Sequence, residues 1–340
     1  MKQIGLSTCA VLVLGVGAIV GCGSGGASNT RSAASTPGSG VVTGGTAPGS
    51  GGRIRIVYDE AGVKPENLEA FRILKQSGGL ERVVAWMNDR INLPKDITVK
   101  VTDNVAPGVE DASFGVDGET VWEPAFFLTE TLQAARKLVP EVKTAGKVPS
   151  MLSEADFTPE AVFVGGTEFI FGHEMGHMVQ RVLNIPVLTF EEYQADGFAA
   201  FVTLNNPSSG YKPAVQAAAL FEELSGGRAP TVGDYSSDHP IIQTRVYNFL
   251  CLAAGTDPEK LRGPLIDSGF VPEGRALFCP LQWGQLNHGW WRVLEPHLSP
   301  SGKSASAAAM KQAEENYNRR MAEFAEDLKK VQEKSAGPRR

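Results

Sequence analysis

Hydrophobic and polar positions alternate in "RIRIVY" (Arg53 to Tyr58) and again in "ITVKVTD" (Ile97 to Asp103), and that period of two predicts strands. Between them, "PENLEAFRILKQ", beginning at Pro65, and "GGLERVVAWMNDRI", after a glycine break, carry the apolar spacing of two helices. The stretch from Ala106 to Pro124 mixes glycines with acidic residues and reads as one or two short edge strands. "AFFLTETLQAARKLV" predicts a third helix, stopped by Pro140. From Thr158 the pattern is almost wholly helical. One helix is expected from about Thr167 to Val182, broken by Asn184-Ile185-Pro186, and the next from Thr189 to Leu204 with Thr189 as its cap. Further helices are expected over Lys212 to Leu224, Ile241 to Ala253 and Ala276 to Leu294. In the tail from Ser304, residues Met310, Tyr317, Met321, Phe324, Leu328 and Val331 share one helical face, which is expected to pack on the body. No internal repeat interrupts this order. A small strand-bearing part followed by helices predicts an α+β fold.

Composition changes the picture mainly at the N-terminus. "MKQIGLSTCAVLVLGVGAIVGC" has a basic residue at Lys2, an apolar run to Val20 and small residues before Cys22, the plan of a secretory signal. Ile19-Val20-Gly21-Cys22 is similar to a bacterial lipoprotein signal, in which the cysteine becomes the acylated N-terminus; several acyl chains, palmitate among them, would anchor the chain to a membrane. Gly, Ser, Thr and Pro dominate from Gly23 to Gly52, a flexible tether. The expected organisation is therefore a signal over 1–21, a tether over 22–52, a folded domain over 53–300, and a C-terminal helix and tail over 301–340. The expected location is the bacterial cell envelope, outside the cytoplasm.

A chain of 340 residues, 42% hydrophobic, can bury one large core. Its net charge of −6, with no basic run, points away from nucleic acid. Of its 4 cysteines, Cys9 leaves with the signal and Cys22 takes the lipid. Cys251 and Cys279 remain, and in an exported chain one pair most simply forms one disulfide, contributing about 3 kcal/mol.

The chemistry concentrates in "FIFGHEMGHMVQ", Phe169 to Gln180. On a helix His173 and His177 stand one above the other, so two imidazoles can reach one zinc ion, and Glu174 lies beside that face where it can take a proton from water. A third ligand is required. The next helix carries "EEYQAD", in which Glu192 and Asp196 share a face: one can bind metal while the other accepts the free N–H of a ligating histidine. Glu191 competes for the same role. Ala195, Ala199 and Ala200 give that helix a small apolar face, as in one packed against a neighbour.

"HEMGHMVQRVLNIPVLTFEEYQAD" resembles the glutamate-zincins and, more narrowly, a family of bacterial metallopeptidases of unassigned function. The resemblance extends over most of Phe163 to Leu298, including "DHPIIQTRVYNFLCLAAG" (Asp238 to Gly255) and "RALFCPLQWGQLNHGWWRVLEPHL" (Arg275 to Leu298), while "VAPGVEDASFGVDGETVWEPAFF" lacks the cysteine that the family usually carries ahead of the zinc helix. It implies a zincin-like fold, zinc held by His173, His177 and Glu192, Glu174 as general base and Asp196 supporting a ligand. It also implies hydrolysis of a peptide or protein substrate. His239 in "SSDHP" is the first candidate for stabilising the oxyanion, with Tyr235 the second, and Arg245 is expected to pair with a carboxylate or bridge helices. His288 and His297, like Trp122, Phe126 and Phe127, are expected to be structural. The alternative function is a zinc-binding envelope lipoprotein with a binding or assembly role and no proteolysis; an interaction protein without metal is the third reading.

Overall fold

The computed structural model describes residues 51–335 except Thr189, 226–228, Asp238, Ser268 and Phe270. The signal, the tether up to Ser50, Cys22 and the expected Thr189 cap lie outside the described residues, while Gly52 at the tether's end donates its N–H to the Leu93 carbonyl.

The two alternating segments form β1 (Ile54–Tyr58) and β2 (Ile97–Thr102), paired in parallel with Ile56 against Val99. Between them run α1 (Leu68–Ser77) and α2 (Gly79–Arg90), joined at Gly78, whose φ of 65° favours a residue without Cβ. The Ala106–Pro124 stretch yields β3 (Ser113–Phe114) and β4 (Thr120–Pro124). The sheet order is β1-β2-β4-β3, with β4 parallel to β2 and β3 antiparallel to β4. The expectation of edge strands thus holds for β3 and is corrected for β4. All five β4 residues are buried, because β4 is flanked by strands on both sides and Lys100 covers its Trp122 ring at 4.9 Å.

α3 (Ala125–Thr144) corrects the expected stop at Pro140, since the helix runs through it. Pro140 lies on the exposed side, where the carbonyl it leaves unbonded can meet water, while Leu138 and Val139 stay buried and keep the helix docked. α4 (Pro159–Val182) starts a full two turns earlier than the expected Thr167. Thr158 accepts a hydrogen bond from the Ala161 N–H, and Pro159 suits the first turn. Gly165 and Gly166, inside this helix, admit Gln216 and Leu220 of α6 (Lys212–Ser225): an added Cβ would stand 1.8 Å from Gln216 Oε1 and 2.8 Å from Leu220 Cδ2.

α5 (Glu191–Asn205) is followed, beyond α6, by α7 (Val232–Ser236), α8 (Ile242–Thr256), α9 (Pro258–Asp267), α10 (Glu273–Ala276) and α11 (Cys279–Leu294). The expected single helix over Ala276 to Leu294 is therefore two, and α7 and α9 are additional. α12 (Pro300–Ser335) ends the described chain. Its Met310 packs against the core; the side chains of Tyr317, Met321, Phe324 and Val331 lie outside the described residues. No described helix is long and apolar enough to cross a membrane. The whole is mixed α+β, a small N-terminal sheet with a helical C-terminal part.

Three ties hold the helices. Arg82 of α2 reaches the buried Glu168 of α4 at 2.6 Å. Trp86, Phe201, Trp290 and Trp291 form an edge-and-tilt cluster joining α2, α5 and α11. Cys251 and Cys279 form the expected disulfide between α8 and α11, closing a sequence separation of 28.

α4 packs along α5 with their backbones close together. A Cβ added at Gly176 would stand 2.8 Å from Ala195 Cα, and one at Gly172 would stand 3.1 Å from Ala199 Cα. The two backbones therefore almost touch, in antiparallel register. Gly176→Ala is expected to destabilise the fold by about 1–3 kcal/mol through overpacking, read as a lower urea midpoint. Replacing both Cys251 and Cys279 by alanine is expected to cost about 3 kcal/mol on the same assay, with no further loss on adding reductant.

Candidate metal centre

The α4–α5 register that the glycines permit sets His173 opposite Asp196 and His177 opposite Glu192. Nε2 of His173 stands 3.1 Å from Oε2 of Glu192, and Nε2 of His177 stands 3.4 Å from Oε1 of the same carboxylate. The two Nε2 atoms are 3.1 Å apart. One ligand atom from each of His173, His177 and Glu192 falls within 4.8 Å of the others. The outer nitrogens are occupied: His173 Nδ1 is 2.8 Å from Asp196 Oδ1, and His177 Nδ1 is 2.9 Å from Glu191 Oε1. A carboxylate can only accept, so each Nδ1 carries a proton and donates it. That leaves both Nε2 lone pairs aimed at one point, beside the Glu192 carboxylate. Two facing lone pairs and a carboxylate converging on one point are a donor set for a cation, so the residues present fit a bound metal ion.

The charges agree. Burial works to lower the His173 pKa, but the Asp196 and Glu192 carboxylates prevail and push it up to about 10. His177 moves the same way: burial opposes, and Glu192 and Glu174 win. Burial would raise Glu192, yet the imidazoles of His173, His177 and His239 hold it far below the usual carboxylate range. The pocket thus attracts positive charge, and metal and protons compete for the same lone pairs.

Asp196 is fixed in turn. Arg245 of α8 grips it with two bonds, Nε to Oδ2 at 2.9 Å and Nη2 to Oδ1 at 2.6 Å, with Arg245 itself buried and its guanidinium 4.4 Å from the Phe221 ring centroid. Burial raises the Asp196 pKa, but Arg245 first and then His173 bring it below the ordinary value. Arg245 therefore pairs with a carboxylate, one of the two roles expected from sequence.

Glu174, buried beside the ligands, accepts a hydrogen bond at Oε2 from the Phe114 N–H of β3, 3.1 Å away, while its Oε1 lies 3.9 Å from His173 Nε2. Burial raises its pKa first, His173 and His177 pull it back, and Asp111 and Glu192 add to the rise, leaving it above the usual value. A carboxylate so placed can take a proton from a group at the ligands.

His239 is also brought in. Its Nε2 stands 2.9 Å from Glu192 Oε2, its ring lies 6.3 Å from and nearly parallel to that of His173, and the Glu192 contact, against burial, raises its pKa. Tyr235 is 68% exposed on α7. Glu191 supports His177, so the competition with Glu192 for the ligand position resolves toward Glu192. Trp122 is buried, as expected of a structural residue. The sequence did not reveal Phe114, whose contribution is a backbone N–H, nor the buried Glu123 of β4, whose pKa burial first and then Glu174 raise.

A helix pair presenting two histidines and a glutamate to one point, with a second glutamate alongside, is the kind of centre that metallopeptidases use. The chain belongs to one such family, DUF4344, described as "Putative metallopeptidase", which matches residues 58–294. No curated protein and no solved structure matches the chain.

Removing Glu192 (Glu192→Ala) is expected to abolish stoichiometric metal binding. Glu191→Gln and Asp196→Asn are expected to keep one metal per chain and weaken it by about 10–100-fold, measured by competition with a chromogenic chelator.

Proposed function

We propose that the protein is a zinc-dependent peptidase of zincin-like fold, exported and held in the bacterial cell envelope by acylated Cys22. The observation that carries the catalytic part is the convergence of His173, His177 and Glu192 on one point with Glu174 beside it. A two-histidine, one-carboxylate donor set suits zinc in its catalytic sites. When bound, zinc supplies a Lewis acid that polarises the substrate carbonyl and makes water a stronger acid.

The chain's own residues do the rest. Phe114 N–H holds Oε2 of Glu174, which leaves Oε1 turned toward the ligands and available for a proton. Oε1 takes the proton of the attacking water as its oxygen bonds to the carbonyl carbon. When the C–N bond breaks, the same oxygen returns that proton to the leaving amine. His239, poised at Glu192, has an Nε2–H it can turn to the oxyanion. Asp196 and Arg245 keep the His173 ring from rotating. The location rests on the signal pattern before Cys22 and the Gly/Ser-rich tether behind it, which would let the folded part reach a peptide or protein substrate away from the membrane.

The test uses wild type and Glu174→Gln. Both are expected to hold one zinc, and cleavage of a mixed peptide library is expected to fall by about 10²–10⁴-fold in the variant. Zinc in both with cleavage in neither would favour the zinc-binding lipoprotein reading. No zinc in either would remove the metal from the account.

A further inference from the structure

Residues 183–190 join α4 to α5 and turn several large apolar side chains to solvent. Asn184 takes the chain out of α4 with a φ of 53°, and the buried Ile185, whose N–H donates to the Gln180 carbonyl, fixes where it leaves. Gln194 of α5 clasps the backbone beyond it: its Nε2 donates to the Pro186 carbonyl at 3.2 Å, and its Oε1 accepts the Leu188 N–H at 3.4 Å. The backbone is thus pinned while its side chains stay outside. Leu188 is 86% exposed and Phe190 67%, with Val187 and Tyr193 exposed as well. The Phe190 and Tyr193 rings stand 6.1 Å apart, so these two form one surface.

Large apolar side chains held in water gain little from folding, and a cluster of them marks a place where something binds. What binds follows from where the cluster lies. Phe190 precedes Glu191, which holds His177, and stands two residues before the ligand Glu192, so the Cα atoms of Phe190 and Glu192 are no more than about 7 Å apart. An extended peptide advances about 3.3 Å per residue. One whose scissile bond lies at the metal centre can therefore bring a side chain a few residues along to Leu188 and Phe190. A lipid surface fits less well. Glu191 and Glu192 flank Phe190, the chain carries a net charge of −6, and the nearby Arg181 is already 3.6 Å from Glu191, so anionic headgroups are repelled.

We propose that Leu188 and Phe190, backed by Tyr193, form a subsite for a large apolar side chain of the peptide substrate and so set the specificity of cleavage. A peptide with leucine or phenylalanine at that position buries its side chain against the cluster, and one with serine does not. The pinned backbone presents a preformed surface, so little order is lost on binding. The three residues take no part in holding metal or moving protons. The inference names the substrate class for the peptidase reading and rests on that reading.

The experiment uses two fluorescently labelled hexapeptides, identical except that one carries phenylalanine and leucine at its centre where the other carries serines. Each is titrated with the zinc-loaded Glu174→Gln protein, which is expected to bind without cleaving. The apolar peptide is expected to bind about 10–100-fold more tightly by fluorescence anisotropy, the gain from burying one large apolar side chain. In L188S/F190S on the same background that preference is expected to vanish, with the serine peptide bound as before and one metal still held per chain. Among cleaved library peptides, the wild type is expected to show large apolar residues enriched at one fixed distance from the scissile bond, and L188S/F190S to lose that enrichment. Equal affinity for the two peptides, or a preference that L188S/F190S keeps, would overturn the proposal. So would binding to phosphatidylglycerol vesicles that the variant loses while its peptide preference stays, which would make the cluster a membrane contact. A dimer lost on sedimentation, again with the preference intact, would overturn it in favour of an interface between two copies. Should the double variant fail to fold, F190S alone carries the same comparison. If the wild type cleaves nothing, the two affinities still decide, and the peptidase reading alone falls.

Discussion

Everything in the centre depends on two helix backbones that nearly touch. Gly172 and Gly176 on α4 face Ala199 and Ala195 on α5, with no room for a further carbon between them. Only at that separation do short carboxylate side chains on one helix reach imidazoles on the other. α4 carries four glycines, which by propensity alone weaken a helix by about 1 kcal/mol each relative to alanine. The helix persists because the same glycines let α5 and α6 bury most of its length, and tertiary packing outweighs propensity. Local stability has been exchanged for closeness, and the closeness is what makes a metal centre.

Closeness brings an electrostatic demand with it. Glu174, Glu192, Asp196 and Glu123 are gathered in a largely buried region, and Arg245 is the cation whose bonds to one of them are direct and bidentate. Unrelieved, several buried carboxylates cost far more than a domain's net stability allows. The structure relieves them by three different means. Asp196 receives an arginine and an imidazole N–H, Glu192 faces imidazoles and the point where a cation fits, and Glu123 is left to protonation. The three solutions are not interchangeable. A permanent cation at Glu192 would occupy the metal's place. The stability of the region and its capacity for chemistry are thus one problem, and metal binding is expected to contribute to both.

The sequence displayed the helical half of this arrangement well. His173 and His177 four apart, and Glu192 and Asp196 four apart, are patterns of a helix face, and helix period is local information. The alanines at 195 and 199 signalled a packed face, though not that the partner would be glycine backbone. Between Glu191 and Glu192 the sequence favoured Glu192, since only it has an aspartate four residues on, on the same helix face. Pro140 misled because it is a breaker by local rule, and tertiary packing kept the helix going through it. β4 looked like an edge because its composition is acidic and glycine-flanked, whereas its place between β2 and β3 is a matter of topology.

The base depends on the part of the fold that the sequence displayed least. Glu174 lies on the same helix as the histidines, but the direction of its carboxylate is set from outside, by a backbone N–H on a strand of two residues. Backbone donors leave no mark in a sequence, because every residue but proline has one. What the sheet supplies is rigidity: β3 is tied to β4, β4 to β2, and β2 to β1, so a hydrogen bond from Phe114 refers the base to a frame separate from the helices. The ligands and the base are consequently positioned by different layers of the fold. A shift of α5 that loosens the metal would leave the Phe114–Glu174 bond intact, and a shift of β3 would turn the base without disturbing the α4–α5 register. That separation is why metal binding and proton transfer can be pulled apart by single substitutions, one on the helix pair and one on the sheet side.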